Sequence, residues 1–444
     1  MHALPVIAIF DIGRTNKKRL LFNAQYQLLD EQCAQLPEIT DEDGFPAEDL
    51  PLLTRWVKEN FDDLLTLKEV ELKAVNVSAY GASLVHLNKD LRPFTPLYNY
   101  LKPFPAALKE EFNGKYDAGK QLAKQTASPD LGHLNSGMQL YRLKKQQPEI
   151  FRQIRYSLHL PQYISFLLSG VWASDLTSIG CHTRLWDFEK QDYHEWVKQE
   201  GLLEKFAEIH SGDFVSKRLQ DGIPVGVGLH DSSAALIPYL SAFKEPFILI
   251  STGTWSISLN PFNHSPLTAH ELKEDCLCYL SFQGKPVKAS RFFAGRDHEA
   301  YTKKLAEHFQ YAEDYYLSVR PDPRILEKWL PVNDTDMARA CSFIGSFDSY
   351  EEAYHVGMIH MLHQQKRSTD LVLEPGRVKK IFVDGGFSKN RLFMHLMARN
   401  FPEMEVYAAS LAQASALGAA LGIHRHWNPE SLPEDLPELK RYFG

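Results

Sequence analysis

Three short runs of the sequence hold residue types that can do chemistry on a phosphate or a hydroxyl. In the first, His230-Asp231-Ser232-Ser233 follows an alternating apolar run over 223–228 and precedes a short apolar segment over 234–240. A carboxylate where a strand gives way to a helix can be aimed into a cleft as a general base. The same placement also serves an ordinary helix cap. In the second, Ser251-Thr252-Gly253-Thr254 ends an apolar run over 247–250. Such a small, hydroxyl-rich turn can offer backbone N–H groups and hydroxyls to a phosphate. The third, Asp11-Ile12-Gly13-Arg14-Thr15-Asn16-Lys17-Lys18, closes a β-branched strand over 6–10. Gly13 can take φ > 0, Thr15, Asn16 and Lys17 can meet a phosphate, and Asp11 can hold Mg²⁺ through water. A plain Asp-Gly hairpin turn with solvated lysines accounts for the same residues.

These residues need elements to position them. Segments 20–23 and 28–33 read as strands, so the chain opens with three consecutive strands and a hairpin turn. A dinucleotide-binding opening places a helix there instead. Leu50, Leu53, Trp56, Val57, Phe61, Leu64 and Leu65 line one helical face. A strand over 72–77 runs into Ser78-Ala79-Tyr80-Gly81-Ala82-Ser83, either a small-residue edge open to a ligand or a simple turn. Residues 92–116, rich in proline and aromatics, read as an ordered loop. Asn135-Ser136 can cap a helix, and Pro161 opens another that Gly170 ends. The polar string over 174–180 reads as a binding loop or a surface connection.

Further on, 277–282 and 285–288 read as a hairpin, and the charged run over 291–299 as a solvated helix start. A long helix over 350–365 is followed by a strand over 379–383 that ends in Asp384-Gly385-Gly386-Phe387-Ser388-Lys389-Asn390. Another helix, a strand over 405–408 and a small-residue helix over 413–422 complete the pattern, and the segment from 429 is expected to fold back on the first domain. No internal sequence repeat stands out.

The bulk numbers set the class. A chain of 444 residues has material for two or three domains. A net charge of −7 gives no sign of a nucleic-acid partner. Five scattered cysteines suit a reducing compartment better than a disulfide framework, and Cys276 and Cys278 lack a second pair at zinc spacing. The N-terminus lacks a signal-peptide pattern, and no apolar stretch approaches the roughly 18 residues that span a bilayer. The expectation is a cytoplasmic protein without a membrane partner.

Together these segments resemble the FGGY carbohydrate kinases, two-domain enzymes of the actin-like, ribonuclease-H-like ATPase group. Asp11-Ile12-Gly13-Arg14-Thr15 is similar to the family's first phosphate turn, and Gly228-Leu229-His230-Asp231 to its catalytic motif. Ser251-Thr252-Gly253-Thr254-Trp255 is similar to the second phosphate turn. The 384–390 run, with Ala416-Leu417-Gly418-Ala419-Ala420 behind it, resembles the adenosine-binding region. His-Asp-Ser-Ser-Ala-Ala and Gly-Thr-Trp-Ser are most similar to the rhamnulokinase-like branch. Arg14 stands where the family usually has a small residue and Phe387 where a third glycine is common, and 255–340 offers no evident counterpart.

The resemblance implies an α/β fold of two domains with mixed five-stranded sheets facing a cleft, divided near residue 241 into a sugar-binding domain (1–241) and a nucleotide-binding domain (242–444). It implies phosphoryl transfer from ATP, with Mg²⁺, to a ketose of the L-rhamnulose or L-fuculose kind, and a homodimer. Asp231 takes the role of general base; Gly81, Ala82 and His230 orient the sugar. Gly13, Thr15, Asn16, Lys17, Gly253 and Thr254 surround the phosphates, Asp11 holds the metal, and Gly385 and Gly386 give the nucleotide bare backbone. The rival readings are a kinase for xylulose, ribulose or glycerol, an ATP-driven switch of the same fold, and a sugar sensor without transfer.

Overall fold

The computed structural model describes residues 3–119, 121–218, 221–253, 255–332, 338–339, 341–374, 376–411, 413–433 and 436–443. Strand β1 (Leu4–Ile12) carries a run of β-branched and aromatic residues buried on both faces, as a central strand requires. It pairs antiparallel with β2 (Lys17–Asn23), which pairs with β3 (Leu28–Ala34). On its other side lies β4 (Val70–Ala79), parallel to it after the crossover helix α1 (Leu50–Thr66). Asp49 caps α1 by accepting from the N–H of Leu52. Strands β5 (Val215–Lys217) and β6 (Pro224–Gly226) extend the sheet beyond β4, and the two-residue β7 (Leu229–His230) also pairs with β4. Helix α2 (Leu160–Ser169) covers one face and stops at Gly170, whose φ of 76° suits the left-handed cap.

Helix α3 (Asp231–Ala242) leaves this sheet and leads into the second one. That sheet orders β10 (Cys276–Leu280), β11 (Pro286–Phe292), β9 (Ser256–Asn260), β8 (Phe247–Thr252), β12 (Lys380–Gly385), β13 (Glu405–Ser410) and β14 (Glu438–Tyr442). The shared five-strand order is the same in both halves: three antiparallel strands (β3-β2-β1 and β11-β9-β8), then two parallel ones (β4-β6 and β12-β13). Each sheet is then widened to 7 strands. The duplication is therefore in topology, with no sequence repeat to announce it.

Helices α4 (Tyr350–Asp370) and α5 (Arg391–Asn400) cover one face of the second sheet, where Tyr354, Ile359, Phe393 and Met397 share a core with Ile248 and Val383. Helix α6 (Ala414–Gly422) packs instead on α3 and on the first sheet. Its small residues permit this: a Cβ on Gly418 would lie 1.8 Å from the Ala234 carbonyl oxygen. Helix α3 thus contributes Ala234 and Ile237 to the cluster beneath the first sheet and Leu236 and Tyr239 to the one beneath the second.

Several sequence expectations change. Part of the 92–116 stretch is helical (Ala106–Tyr116). The 174–180 string is buried, because Asp175 caps a single turn through the N–H groups of Thr177 and Ser178. The helix start expected in the charged run at 291–299 forms at Ala294 with Arg296, Asp297 and Glu299 exposed, but Arg291 and His298 are buried. The C-terminal segment returns to the first domain only in part: Leu436 packs against the cluster beneath the first sheet, and Glu438–Tyr442 pairs with β13 at the edge of the second.

Candidate active site

Strands β1 and β7 both end at the cleft between the two sheets, and each delivers a carboxylate there. Asp11 lies near the end of β1, and Asp231 opens α3 directly after β7. The chain can turn there because Gly228 has φ 85° and sits against Pro161, where any Cβ would lie 2.5 Å from a carbonyl oxygen. Behind the junction, the Thr177 hydroxyl accepts from the His230 N–H at 2.9 Å, and Gln162 donates to the Gly228 carbonyl at 2.7 Å. The buried 174–180 turn is thus a scaffold for His230 and Asp231.

Asp231 accepts from the Ser232 N–H at 2.6 Å. The surrounding protein lifts its carboxyl from 3.8 to about 6, although its side chain remains 37% exposed to the cleft. Burial holds the His230 imidazole down at about 3, so at neutral pH it is uncharged, and its 3.3 Å approach to Asp231 is not an ion pair. Asp11 is raised to about 6 as well, chiefly by burial and in part by the charge of Asp231, while a 3.0 Å hydrogen bond from the Ser415 hydroxyl offsets some of this. Two carboxylates near a hydroxyl form the hard-oxygen set that suits Mg²⁺, which keeps most of its own waters. Their raised values mark a place where a cation would relieve unfavourable negative charge. Asp231, Ser415, Ser251, Asp384 and Gly385 line one cavity of about 360 Å³, to which both halves of the chain contribute.

The first hairpin turn leaves Thr15 and Asn16 exposed at its tip. Gly13, beside them, is partly exposed and hydrogen-bonds from its N–H to the Asn16 carbonyl. Lys17 is a correction. Its ammonium is buried, donates to the carbonyls of Gly13 (3.1 Å) and Arg14 (3.0 Å), and pairs with Glu48 at 2.6 Å, so it braces the turn from beneath rather than reaching a phosphate. Arg14 pairs with Glu38 beside the turn. On the sugar side, Gly81 abuts the His230 ring: a Cβ there would lie 2.6 Å from the ring's Cδ2. Ala82 is buried at φ 64° with its carbonyl accepting from Gln139, so the edge it shares with Gly81 offers a ligand only the glycine.

In the second half, Gly253 is exposed with its N–H on the Trp255 carbonyl at 2.8 Å, and Thr254 lies outside the described residues. Gly385 and Gly386 differ. Gly385 has φ 88°, and a Cβ would lie 1.9 Å from the Thr252 carbonyl oxygen, so strand pairing demands the glycine. Gly386 faces open space. Phe387 is core, stacked on Phe393 at 4.7 Å. Sequence reading missed Ser415 and the tie between Lys18 and Gln413 (3.0 Å), which lock the first hairpin to the start of α6. Their only signal was two polar residues opening an otherwise small-residue helix. Arg291 was also missed: it is held by Asp275 at 2.6 Å and lies over the Trp255 ring at 5.2 Å.

The model of the FGGY family of carbohydrate kinases, N-terminal domain, matches residues 6–238, more than half of the chain. The chain belongs to this family. The family's C-terminal domain matches residues 244–330, across the region where motif reading found no counterpart. Among curated relatives, a rhamnulokinase from Halalkalibacterium halodurans is 26% identical over 203 residues, 42% of this chain and 42% of that one. A rhamnulokinase from Oceanobacillus iheyensis is 22% identical over 214 residues, 44% of this chain. Each match therefore spans 42% of the relative's own length. Solved structures agree over nearly the whole chain. A carbohydrate kinase from Novosphingobium aromaticivorans superposes with a TM-score of 0.77 at 23% identity, over 98% of this chain and 96% of that one. A xylulose kinase from Lactobacillus acidophilus reaches 0.81 at 15% identity, over 99% and 94%. At these identities the likeness is one of fold, two sheet-containing α/β domains of the actin-like ATPase kind. Among the described residues no helix is long and apolar enough to cross a membrane.

Proposed function

We propose that the chain is an ATP-dependent ketose kinase of the rhamnulokinase type, with Asp231 as general base. The observation that carries this reading is a carboxylate at about 6, on the floor of a cavity shared by both halves, beside a neutral histidine and a bare glycine edge. Phosphoryl transfer needs in-line alignment, charge neutralisation and a proton acceptor, and little else from the protein. Asp231 takes the proton of the attacking sugar hydroxyl onto a carboxylate oxygen. His230 and the Gly81 edge orient the sugar. Thr15 and Asn16 hold the phosphates, Gly13 and Gly253, whose N–H groups close their own turns, let the phosphates approach without a side chain in the way, and Gly386 gives the adenosine side open backbone. Asp11 would hold Mg²⁺, which would supply charge neutralisation for the phosphate oxygens. Placing the phosphate turns on two different sheets lets closure complete the site and shut out water, which limits ATP hydrolysis when no sugar is present.

The choice of an L-rhamnulose or L-fuculose class of acceptor rests on the similarity to chains named rhamnulokinase and on the His230-Asp231-Ser232-Ser233 run. The test is ADP release with ATP and Mg²⁺ against L-rhamnulose, L-fuculose, L-ribulose, D-xylulose, D-fructose and glycerol. One of the two 6-deoxyketoses far ahead in kcat/KM is the expected outcome. A xylulose, ribulose or glycerol preference removes the substrate class, and silence with ATP still bound removes the enzyme reading.

A further inference from the structure

Buried next to Asp231 lie three soft or borderline donors that phosphoryl transfer does not use together. Cys181, His182 and His230 are buried, and one donor atom from each lies within 4.8 Å of the others. The Cys181 sulfur is 3.2 Å from His230 Nε2, which in turn is 3.3 Å from Asp231 Oδ1. His182 Nδ1 lies 3.1 Å from the Leu134 carbonyl oxygen. That contact places the proton on Nδ1 and leaves the Nε2 lone pair free, the tautomer that backbone carbonyls impose on histidine ligands of zinc. His182 itself sits at φ 38°, so the chain holds it in a conformation that a non-glycine residue seldom adopts. His230 Nδ1 is buried with no partner, while Nε2 faces the Cys181 sulfur and Asp231, so Nε2 is the ring nitrogen turned to the cluster.

We propose that Cys181, His182 and His230 form a binding site for a soft divalent cation of the Zn²⁺ class, with the Asp231 carboxylate as a neighbouring charge. One thiolate and two imidazoles make a three-ligand set with an open fourth position that Zn²⁺ accepts and Mg²⁺ does not favour. On binding, the Cys181 S–H bond gives way to a sulfur–metal bond and the proton leaves to solvent, with no change of oxidation state. The Arg291 guanidinium lies near enough for its charge to act on the Cys181 thiol; it opposes the cation, and the thiolate and Asp231 together offset it. The site lies against the sugar edge, since a Cβ on Gly81 would be 2.9 Å from His230 Nε2 and 3.5 Å from the Cys181 sulfur. Ion and sugar therefore exclude each other, a consequence that rests on the kinase reading, whereas the metal site itself does not.

The decisive experiment uses Co²⁺ as the probe on the full chain without an affinity tag. A thiolate-to-cobalt charge-transfer band is expected that Zn²⁺ abolishes by displacement, that Cys181→Ser removes, and that Cys33→Ser and Cys341→Ser retain. Thermal unfolding of each variant establishes that it is folded, and His182→Gln, which keeps the thiol, should weaken Co²⁺ binding by about 10-fold or more. With an acceptor sugar in hand, Zn²⁺ should inhibit competitively against that sugar, and Cys181→Ser should raise the half-inhibitory concentration at least about 10-fold. Absence of the band, or its survival in Cys181→Ser, overturns the site. Zn²⁺ inhibition competitive only with MgATP overturns the exclusion of sugar. Silence across the sugar panel with the band intact would remove the kinase reading and leave the metal site standing.

Discussion

The two hairpins that face the cleft, β1-β2 and β8-β9, occupy the same place in two sheets of the same topology, yet they are built by different means. The first turn is braced from below by a buried charge network: Lys17 on the Gly13 and Arg14 carbonyls and on Glu48, with Tyr80 donating to Glu48 at 2.9 Å. It also carries a carboxylate, Asp11, near the end of its strand. The second turn closes on itself through Gly253 and Trp255, whose ring packs on Phe293 at 3.5 Å under Arg291. The end of its strand bears Ser251 and Thr252 and no acid. Topology was duplicated and chemistry was not. Asp11 and Asp231 come from the first sheet and the start of α3, while the second sheet brings Ser251, Asp384 and glycine backbone.

The largest effect expected from this division is on turnover. Asp231→Asn should lower kcat by at least about two orders of magnitude with the thermal unfolding midpoint at neutral pH unchanged or raised, since the carboxylate is disfavoured there. Near-normal turnover would move the base elsewhere. Next, Lys17→Met strands the buried Glu48 and should cost about 3–5 kcal/mol in denaturant unfolding. A loss confined to ATP affinity, with stability intact, would instead return Lys17 to the phosphates. Third, Gly385→Ala should destabilise by at least about 1–3 kcal/mol, since φ 88° with ψ −151° is a conformation nearly reserved for glycine and a carbonyl oxygen fills the Cβ position. Gly386→Ala, facing open space, should stay within about 0.5 kcal/mol. Equal effects would erase the distinction between the glycine that pairs strands and the one that faces the cleft.

The smallest is a pH dependence. With Asp231 at about 6, kcat/KM should rise with pH and level off above about 6 as the carboxylate forms. Stability runs the other way. Asp11 and Asp231 hold protons more tightly when folded than at their ordinary 3.8, so their contribution is full below about pH 4 and is lost as pH rises through about 6. Unfolding midpoints across that range, without Mg²⁺, should fall more steeply in the wild type than in Asp11→Asn. An identical slope in the two would show that Asp11 is not raised.

Sequence alone determined much of this molecule. Strands 6–10 and 247–250 are runs of β-branched and aromatic residues whose only stable place is a covered sheet, and each is followed by a turn that admits few conformations. The Gly228-Leu229-His230-Asp231 run likewise announces a strand passing into a helix, because the glycine is needed for the bend and the acid favours the first turn. Tertiary structure decided what those side chains do. Lys17 and Thr15 are equally plausible phosphate ligands in the sequence, but the period of two along β2 turns Lys17 beneath the turn, where Glu48 takes its charge. The 174–180 string and Arg291 are as polar as any surface segment, and only the capping of Asp175 and the pairing with Asp275 draw them inside. Ser415 and Asp11 are separated by some 400 residues and meet at 3.0 Å because α6 is small enough to lie against α3. Local pattern specifies which elements form, since backbone sterics and hydrophobic period act within a few residues; which charges are shared depends on distances that only the packed chain defines.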